Sequence, residues 1–380
     1  MTYDYQKNQR YFAQMPNDIR DIAAEELLSL GASQTEQAYG GLHFQANPET
    51  LYRVNLQSRL ASRILAPLST FDCPSDQLLY RESRRIPWED FLSTAATFAV
   101  FATVHNSHIT HSQFAALRLK DAIADFFRSR HGRRPSVDTR NPDVWFNLHI
   151  ENNRATISLD TSGGSLHRRG YRLSSVSAPM IETLGAAVIR YTGWTGERPL
   201  YDPFCGSGTL LCEAYLIAAH IPPGMFRKVF GFERLPDFKP AVWKSVLREG
   251  KKAIRSVAPG TVAGSDIAAE AVESAQRNCR VIDPGHRIRI DQRDVFAIDE
   301  LRGKIIVCNP PYGIRMGSSS DLPDLYRRLG DFLKQRCSGS TAYIYFGDRE
   351  YIRHIGLKPA WKKVLANGGL DGRLVRFDLY

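Results

Sequence analysis

Pro199-Leu200-Tyr201-Asp202-Pro203-Phe204-Cys205-Gly206-Ser207-Gly208-Thr209 reads as a short strand, a Gly-rich turn and the opening of a helix. Glycines let a backbone approach a ligand closely, and a new helix presents unpaired N–H groups. The third glycine of the dinucleotide pattern G-x-G-x-x-G falls on Leu211, and an acid at the strand end would repel a pyrophosphate. Asp202 suits instead a ligand that carries an ammonium group. Downstream, the apolar run Ile305-Ile306-Val307-Cys308 ends in Asn309-Pro310-Pro311-Tyr312, followed by Gly313. The two elements, in this order, predict a ligand loop and a reaction loop on one doubly wound sheet.

The segments between and beyond them agree. Strand-then-helix units recur at Pro199–Tyr201 with Thr209–Ala219, at Val262–Ser265 with Ala268–Arg280, and at Ile305–Cys308 with Leu322–Gln335. Further strands are expected at Arg287–Ile290, Thr341–Phe346 and Leu374–Leu379. Such alternation makes a mostly parallel sheet. Gly264-Ser265-Asp266 ends the second strand, where a carboxylate accepts hydrogen bonds from both ribose hydroxyls or caps the following helix. In Arg293-Asp294-Val295-Phe296, Asp294 is placed to take an adenine amino group and Val295 its ring face. Methionine joined to adenosine carries the ammonium group, a carboxylate, a ribose and an adenine.

The Asn309–Tyr312 corner has a chemical reading of its own. An exocyclic amine on a base is a poor nucleophile because its lone pair conjugates with the ring. The Asn309 side-chain oxygen and the Pro310 carbonyl can accept both N–H protons and draw the nitrogen toward a tetrahedral form. Pro310 and Pro311 fix the carbonyls and offer no competing N–H, and Tyr312 can stack an extruded base. Catalysis is then positioning and electrostatics. Carbon-5 pyrimidine methylation needs a Cys nucleophile, typically followed by Pro, whereas Cys308 precedes Asn309. Zinc deamination needs His-x-Glu together with Cys-x-x-Cys, and no Cys-x-x-Cys occurs.

The first half reads as α+β. Helices are expected at Ile19–Leu30, Pro48–Leu60 and Ser112–Arg128, and a strand at Thr97–Val104. A hairpin pairs Val144–Ile150 with Ala155–Asp160 across Glu151-Asn152-Asn153. Ser162-Gly163-Gly164-Ser165 reads as a linker. The chain of 380 residues carries a formal charge of +10, unevenly spread. Residues 1–160 hold 17 Lys and Arg against 18 Asp and Glu, and the remainder 33 against 22. That asymmetry fits a polyanionic partner or a solvated basic surface. Arg118, Lys120, Arg128, Arg130, Arg133 and Arg134 exceed the nearby Asp121 and Asp125, an excess that phosphate would satisfy. The polar N-terminus lacks a secretory h-region, no apolar run suffices for a membrane helix, and the six cysteines show no metal spacing. A cytoplasmic protein with reduced thiols and no metal is expected.

Asp-Pro-Phe-Cys-Gly-Ser-Gly-Thr followed by Asn-Pro-Pro-Tyr-Gly resembles the S-adenosylmethionine-dependent amino-methyltransferases. His167-Arg168-Arg169-Gly170-Tyr171-Arg172, Ala178-Pro179, Glu182-Thr183-Leu184, Ser58–Ile64, Arg134-Pro135-x-Val137-Asp138 and Asn367-Gly368 narrow the resemblance to THUMP-bearing RNA guanine-N2 methyltransferases. It is closest to the bacterial enzymes that act on 23S ribosomal RNA. The resemblance covers about Tyr11 to Tyr380. It implies an α/β protein with a ferredoxin-like segment (1–70), a THUMP RNA-binding domain (71–161) and a Rossmann-like methyltransferase domain (165–380) whose last strand is antiparallel.

By motif position the resemblance implies S-adenosyl-L-methionine held by Thr183, Asp202, Phe204, Cys205, Gly206, Ser207, Gly208, Asp266, Asp294 and Asn309. Asn309, Pro310, Pro311 and Tyr312 form the catalytic corner. Arg118, Lys120, Arg130, Arg133, Arg134, Arg169 and Arg172 are expected on RNA. An insertion, 221–260, is implied as a helical excursion near the RNA. One relative fuses a second methyltransferase domain downstream; none follows Tyr380, so one methylation is expected, by a monomer or a dimer. The same corner serves adenine-N6 and cytosine-N4 methylation of DNA, the alternative that a THUMP-like front half disfavours. A non-enzymatic RNA-binding protein with a decayed site is disfavoured by the intact Asp202, Gly206, Gly208 and Asn309–Tyr312.

Overall fold

The computed structural model describes residues 2–175, 179–312, 322–367 and 370–380. Ala178, Gly313 and Gly368, which form part of the motifs above, lie outside them. The chain divides into two compact units. One comprises residues 1–166 and 227–248, the other 167–226 and 249–380.

The first unit is built on eight strands: β1 (Arg10–Gln14), β2 (Ser33–Ala38), β3 (Gly41–Gln45), β4 (Arg63–Asp72), β5 (Thr97–His105), β6 (Ser136–Val137), β7 (Val144–Glu151) and β8 (Arg154–Asp160). They form one sheet in the order β2-β3-β1-β4-β8-β7-β5-β6. The expected segments 1–70 and 71–161 therefore share a sheet, joined where β4 pairs antiparallel with β8. Alternation sets the faces: Tyr11 and Ala13 of β1 are buried, while Phe12 and Gln14 are partly exposed. The β7–β8 hairpin turns through Asn152 and Asn153, both at positive φ (50° and 59°), which asparagine tolerates. Asn47 caps the helix Pro48–Gln57 by accepting the Thr50 N–H at 2.8 Å, with Pro48 in its first turn.

One expectation is corrected here. Ser162–Ser165 is not a loose linker: Thr161 and Ser162 are fully buried, and the Ser162 hydroxyl accepts the Ile64 N–H at 2.8 Å. The Arg227 guanidinium donates to the carbonyls of Ser165 (3.0 Å), Ser162 (2.9 Å), Gly163 and Gly164 (both 3.2 Å). Gly163 and Gly164 sit at φ of 68° and 102°, so the carbonyl cage needs glycine. Within the implied excursion, residues 227–248 return to the first unit and pack aromatically there. Phe232 stacks on Tyr52 at 4.5 Å and on Phe230 at 5.2 Å, with Phe238 and Trp243 edge-on or tilted around them. The Tyr5 hydroxyl donates to Asp237 at 2.7 Å.

The second unit holds β9 (Leu200–Asp202), β10 (Val262–Asp266), β11 (Arg289–Gln292), β12 (Ile305–Cys308), β13 (Thr341–Phe346), β14 (Trp361–Val364) and β15 (Arg373–Asp378). Their order is β11-β10-β9-β12-β13-β15-β14. All neighbours pair in parallel except at β15, which runs against β13 and β14. The mostly parallel α/β sheet with an antiparallel last strand is as expected. β12 is buried at every position, the apolar run of a strand covered on both faces. Ile306, Cys308, Ala342 and Ile344 pack with Tyr326, Leu329, Phe332 and Leu333 of the helix Leu322–Arg336.

Arg227→Met removes the four-carbonyl cage. Because hydrogen bonds to charged groups contribute about 1.5–3 kcal/mol each, the variant should lose about 2 kcal/mol or more. Thermal and urea unfolding would read this as a lower midpoint with secondary structure retained at low temperature.

Candidate active site

The sheet order reverses between β9 and β12, and crevices form at the carboxyl ends of strands at such a switch point. A cavity of about 500 Å³ lies there. Asp202, Phe204, Cys205, Gly206, Ser207, Asp266, Asp294, Asn309 and Pro311 line it. Of the expected set, Thr183, Gly208, Pro310 and Tyr312 do not line it. Thr183 is buried in the helix Glu182–Thr192, and Pro179 and Met180 form the wall on that side. Gly208 serves packing: at φ 81° it lets Ala275 approach to about 3.1 Å of where a Cβ would sit.

The loop donates most of its N–H groups inward. Phe204 N–H goes to Asp202 Oδ1 (3.0 Å), Cys205 N–H to the Ser265 carbonyl (3.0 Å), and Gly206 N–H to Asp266 Oδ2 (2.9 Å). Asp266 Oδ1 also accepts the Ala268 N–H (3.0 Å) ahead of the helix Ala269–Ile282, whose N-cap is Ala268 and not Asp266. Each oxygen keeps a further lone pair. Asp294 caps a short 3-10 turn by accepting the Phe296 N–H at 2.9 Å. Asp202 is 1% exposed, and burial, reinforced by Asp266, pushes its carboxyl well above the usual range. A buried acid of this kind fits a cationic partner.

Within the basic segment 167–172, Arg169 and Arg172 turn their charge inward while Arg168 is exposed, which corrects two expected RNA contacts. Arg169 is 2% exposed and donates to both oxygens of the buried Glu213 at 3.2 and 3.3 Å; the Tyr171 hydroxyl adds a third bond at 3.0 Å. Arg172 donates to Glu182 (2.7 Å), the Ser207 hydroxyl (3.1 Å), the Thr209 hydroxyl (3.0 Å) and the Met180 carbonyl (3.0 Å). Three of those four residues belong to the cavity lining. Asn278, fully buried on the helix Ala269–Ile282, accepts the Leu173 and Ser174 N–H groups and donates to the carbonyls of Ser174 and Ser207. Sequence reading missed Asn278 because its partners stand far away along the chain. It also missed Arg328, whose guanidinium lies 3.9 Å over the Phe296 ring on the lining.

At the corner, Asn309 Oδ1 is buried and has no hydrogen-bond partner among the described residues. A buried acceptor left unpaired costs about 1–3 kcal/mol and is rare in a folded chain. The Pro311 carbonyl accepts from the Tyr326 hydroxyl at 3.2 Å, which braces the turn. The Tyr312 ring is 7% exposed and lies against Gly347, where a Cβ would fall 2.4 Å from the ring.

Of the expected cations in the first unit, Arg118 pairs with Asp76 (3.3 Å), Lys120 with Asp121 (2.5 Å) and Arg130 with Glu89 (2.9 Å). Arg133 and Arg134 are exposed and have no ion pair among the described residues. All six cysteines are buried and form no disulfide. Among the described residues no cluster of His, Cys, Asp and Glu could hold a metal, and no helix is long and apolar enough to cross a membrane.

A family model described as the RMKL-like methyltransferase domain matches residues 169–376. The chain belongs to that family. A THUMP domain matches residues 75–160 and an RlmL ferredoxin-like domain residues 10–65, so the resemblance read from the motifs is borne out. The chain is 40% identical to a Synechocystis sp. protein provisionally named an RNA methyltransferase, covering 97% of both chains. It is also 40% identical to the ribosomal RNA large subunit methyltransferase K/L of Syntrophotalea carbinolica, over 97% of this chain and 53% of that one. The chain thus spans about half the length of the K/L relatives it matches. Among solved structures, a provisionally named methyltransferase complexed with SAH aligns with a TM-score of 0.84 at 26% identity, covering 98% of each chain. A Listeria monocytogenes protein named by inference an N6-adenine-specific DNA methylase aligns at 0.82 and 28% identity, covering 98% and 97%.

Two outcomes test the geometry. Arg172→Gln should weaken binding of S-adenosylhomocysteine about tenfold or more, measured by calorimetry, since it frees two hydroxyls at the loop. Asp202 binds a proton in the folded chain at pH values where the unfolded chain has lost it. Its contribution to stability therefore falls as pH rises from the ordinary carboxylate range toward its raised value. Asp202→Asn should flatten that part of the stability-versus-pH curve, read from unfolding midpoints between acid and neutral pH.

Proposed function

We propose that the chain methylates the exocyclic N2 amine of a guanine in large-subunit (23S) ribosomal RNA. It is a methyltransferase of its family, and its methyl donor is S-adenosyl-L-methionine. Asn309 Oδ1, without a hydrogen-bond partner among the described residues, carries the reading: a buried acceptor at the cavity wall is the group an exocyclic amine requires. The THUMP match and the relatives' names support RNA, and large-subunit RNA in particular. Cytoplasmic location follows from that substrate.

The residues present fit the donor molecule. Asp202 would face its ammonium group, Asp266 its ribose hydroxyls and Asp294 its adenine amine, with Phe204, Val295 and Phe296 supplying apolar surface. The donor supplies a methyl carbon made electrophilic by a cationic sulfur. Asn309 Oδ1 accepts one N–H of the amine, and the Pro310 carbonyl is positioned in sequence to accept the other. Both acceptors weaken conjugation with the ring and stabilise the positive charge that grows on nitrogen. Pro310, Pro311 and the Tyr326 hydroxyl keep the corner from relaxing. The exposed Arg133 and Arg134 give the RNA backbone a cationic neighbour.

The deciding experiment is methyl transfer from labelled S-adenosylmethionine to unmodified 23S ribosomal RNA, transfer RNA and DNA, with nucleoside analysis. N2-methylguanosine in ribosomal RNA is the expected product; methylated adenine in DNA would replace the proposal with the DNA reading. Asn309→Ala should cut turnover by about 10²–10³-fold, the scale of losing one oriented polar group, with S-adenosylhomocysteine affinity kept.

A further inference from the structure

The second unit carries a basic groove that the site does not use. It is formed by the 3-10 segment Arg349–Ile355, the loop after it and β14, and encloses about 580 Å³. Arg349, Arg353, Lys362 and Arg373 line it over an apolar floor of Ile352 and Leu357; Glu350 is the one acid in the lining. Between Arg349 and Arg376 the chain holds seven Lys and Arg against two acids, half of its net charge in 28 positions. Asp371 is taken by Arg373 and lies 3.8 Å from Arg349. Arg353 and Lys362 are exposed, with no ion pair among the described residues. Lysine on an edge strand such as β14 guards a sheet against edge-to-edge pairing. That function does not account for Arg349 and Arg353, which stand on a different element and converge on the same groove.

The groove is tied to the catalytic corner. The segment Arg349–Ile355 follows the carboxyl end of β13, which lies parallel to β12 and on the same edge of the sheet as Asn309. Its Tyr351 stacks on Tyr326 at 4.9 Å and 7°, and the Tyr326 hydroxyl is the one bonded to the Pro311 carbonyl. Two residues before Arg349, Gly347 seats the Tyr312 ring. We infer that this groove grips the phosphates of the RNA strand flanking the target base, resting on the RNA reading above. Arginine forks match phosphate oxygens two at a time, so such a grip fixes register as well as supplying attraction. It is a second RNA contact, borne by the methyltransferase unit itself and separate from Arg133 and Arg134.

The test is a full-length variant carrying Arg349→Glu, Arg353→Glu and Lys362→Glu, with the corresponding triple alanine variant as the milder form. All three side chains are exposed, and circular dichroism with thermal unfolding checks that each variant folds. Binding to an unmodified 23S ribosomal RNA transcript is titrated between about 50 and about 200 mM salt, where each phosphate contact adds about 0.7–0.9 to the slope of log affinity against log salt. The expected result is a slope smaller by about 2 and an affinity at least about tenfold weaker, with S-adenosylhomocysteine affinity unchanged. A folded variant that keeps the wild-type slope and affinity overturns the inference. Absence of salt-dependent RNA binding by the wild type overturns the RNA reading beneath it, an outcome visible before any variant is made.

Discussion

The Asp266 carboxylate accepting the Gly206 N–H is the contact on which the site is built. It joins the end of β10 to the turn after β9, so two adjacent strand ends move as one. Asn278 and Arg172 complete the fixation from the opposite side through the Ser207 carbonyl and the Ser207 and Thr209 hydroxyls. A loop whose own donors are satisfied internally needs no ligand to order it. Its side chains and remaining acceptors are then held at set positions, which is what preorganised electrostatics require.

The cost of this arrangement appears in two buried groups. Asp202 is held where ionisation is disfavoured, and Asn309 Oδ1 is held where it has no described partner. Both lie on the cavity wall, and a cation for one and an amine N–H for the other would relieve them. Deeper in the second unit Arg169, Glu213 and Tyr171 are bonded to one another. Buried ion pairs contribute little net stability yet cost several kcal/mol when one partner is removed, so this set fixes the approach segment rather than adding to a ledger.

The Gly loop and the Asn309–Tyr312 corner were legible because short-range chemistry dictates them: strand, turn and proline constraints act within a few residues. The parallel units were legible through their alternating pattern. Arg169 and Arg172 were misread because a run of cations looks the same whether it faces water or Glu213 and Glu182. Gly208 looked like a ligand-approach residue, and only the proximity of Ala275 reveals its packing purpose. β14 escaped notice since four residues with two lysines give no periodic signal, and its partner β15 lies beyond an intervening loop.

The return of residues 227–248 to the first unit makes that unit discontinuous along the chain, which crosses from one unit to the other three times. During synthesis, strands β1 to β8 emerge well before Arg227, Phe232 and Trp243. The first unit must wait, with its carbonyl cage empty and Tyr52 unstacked, until part of the second has left the ribosome. The first unit is complete once Arg248 has emerged, with residues 249–380 of the second still to come, and no single cut in the polypeptide can separate the two units intact.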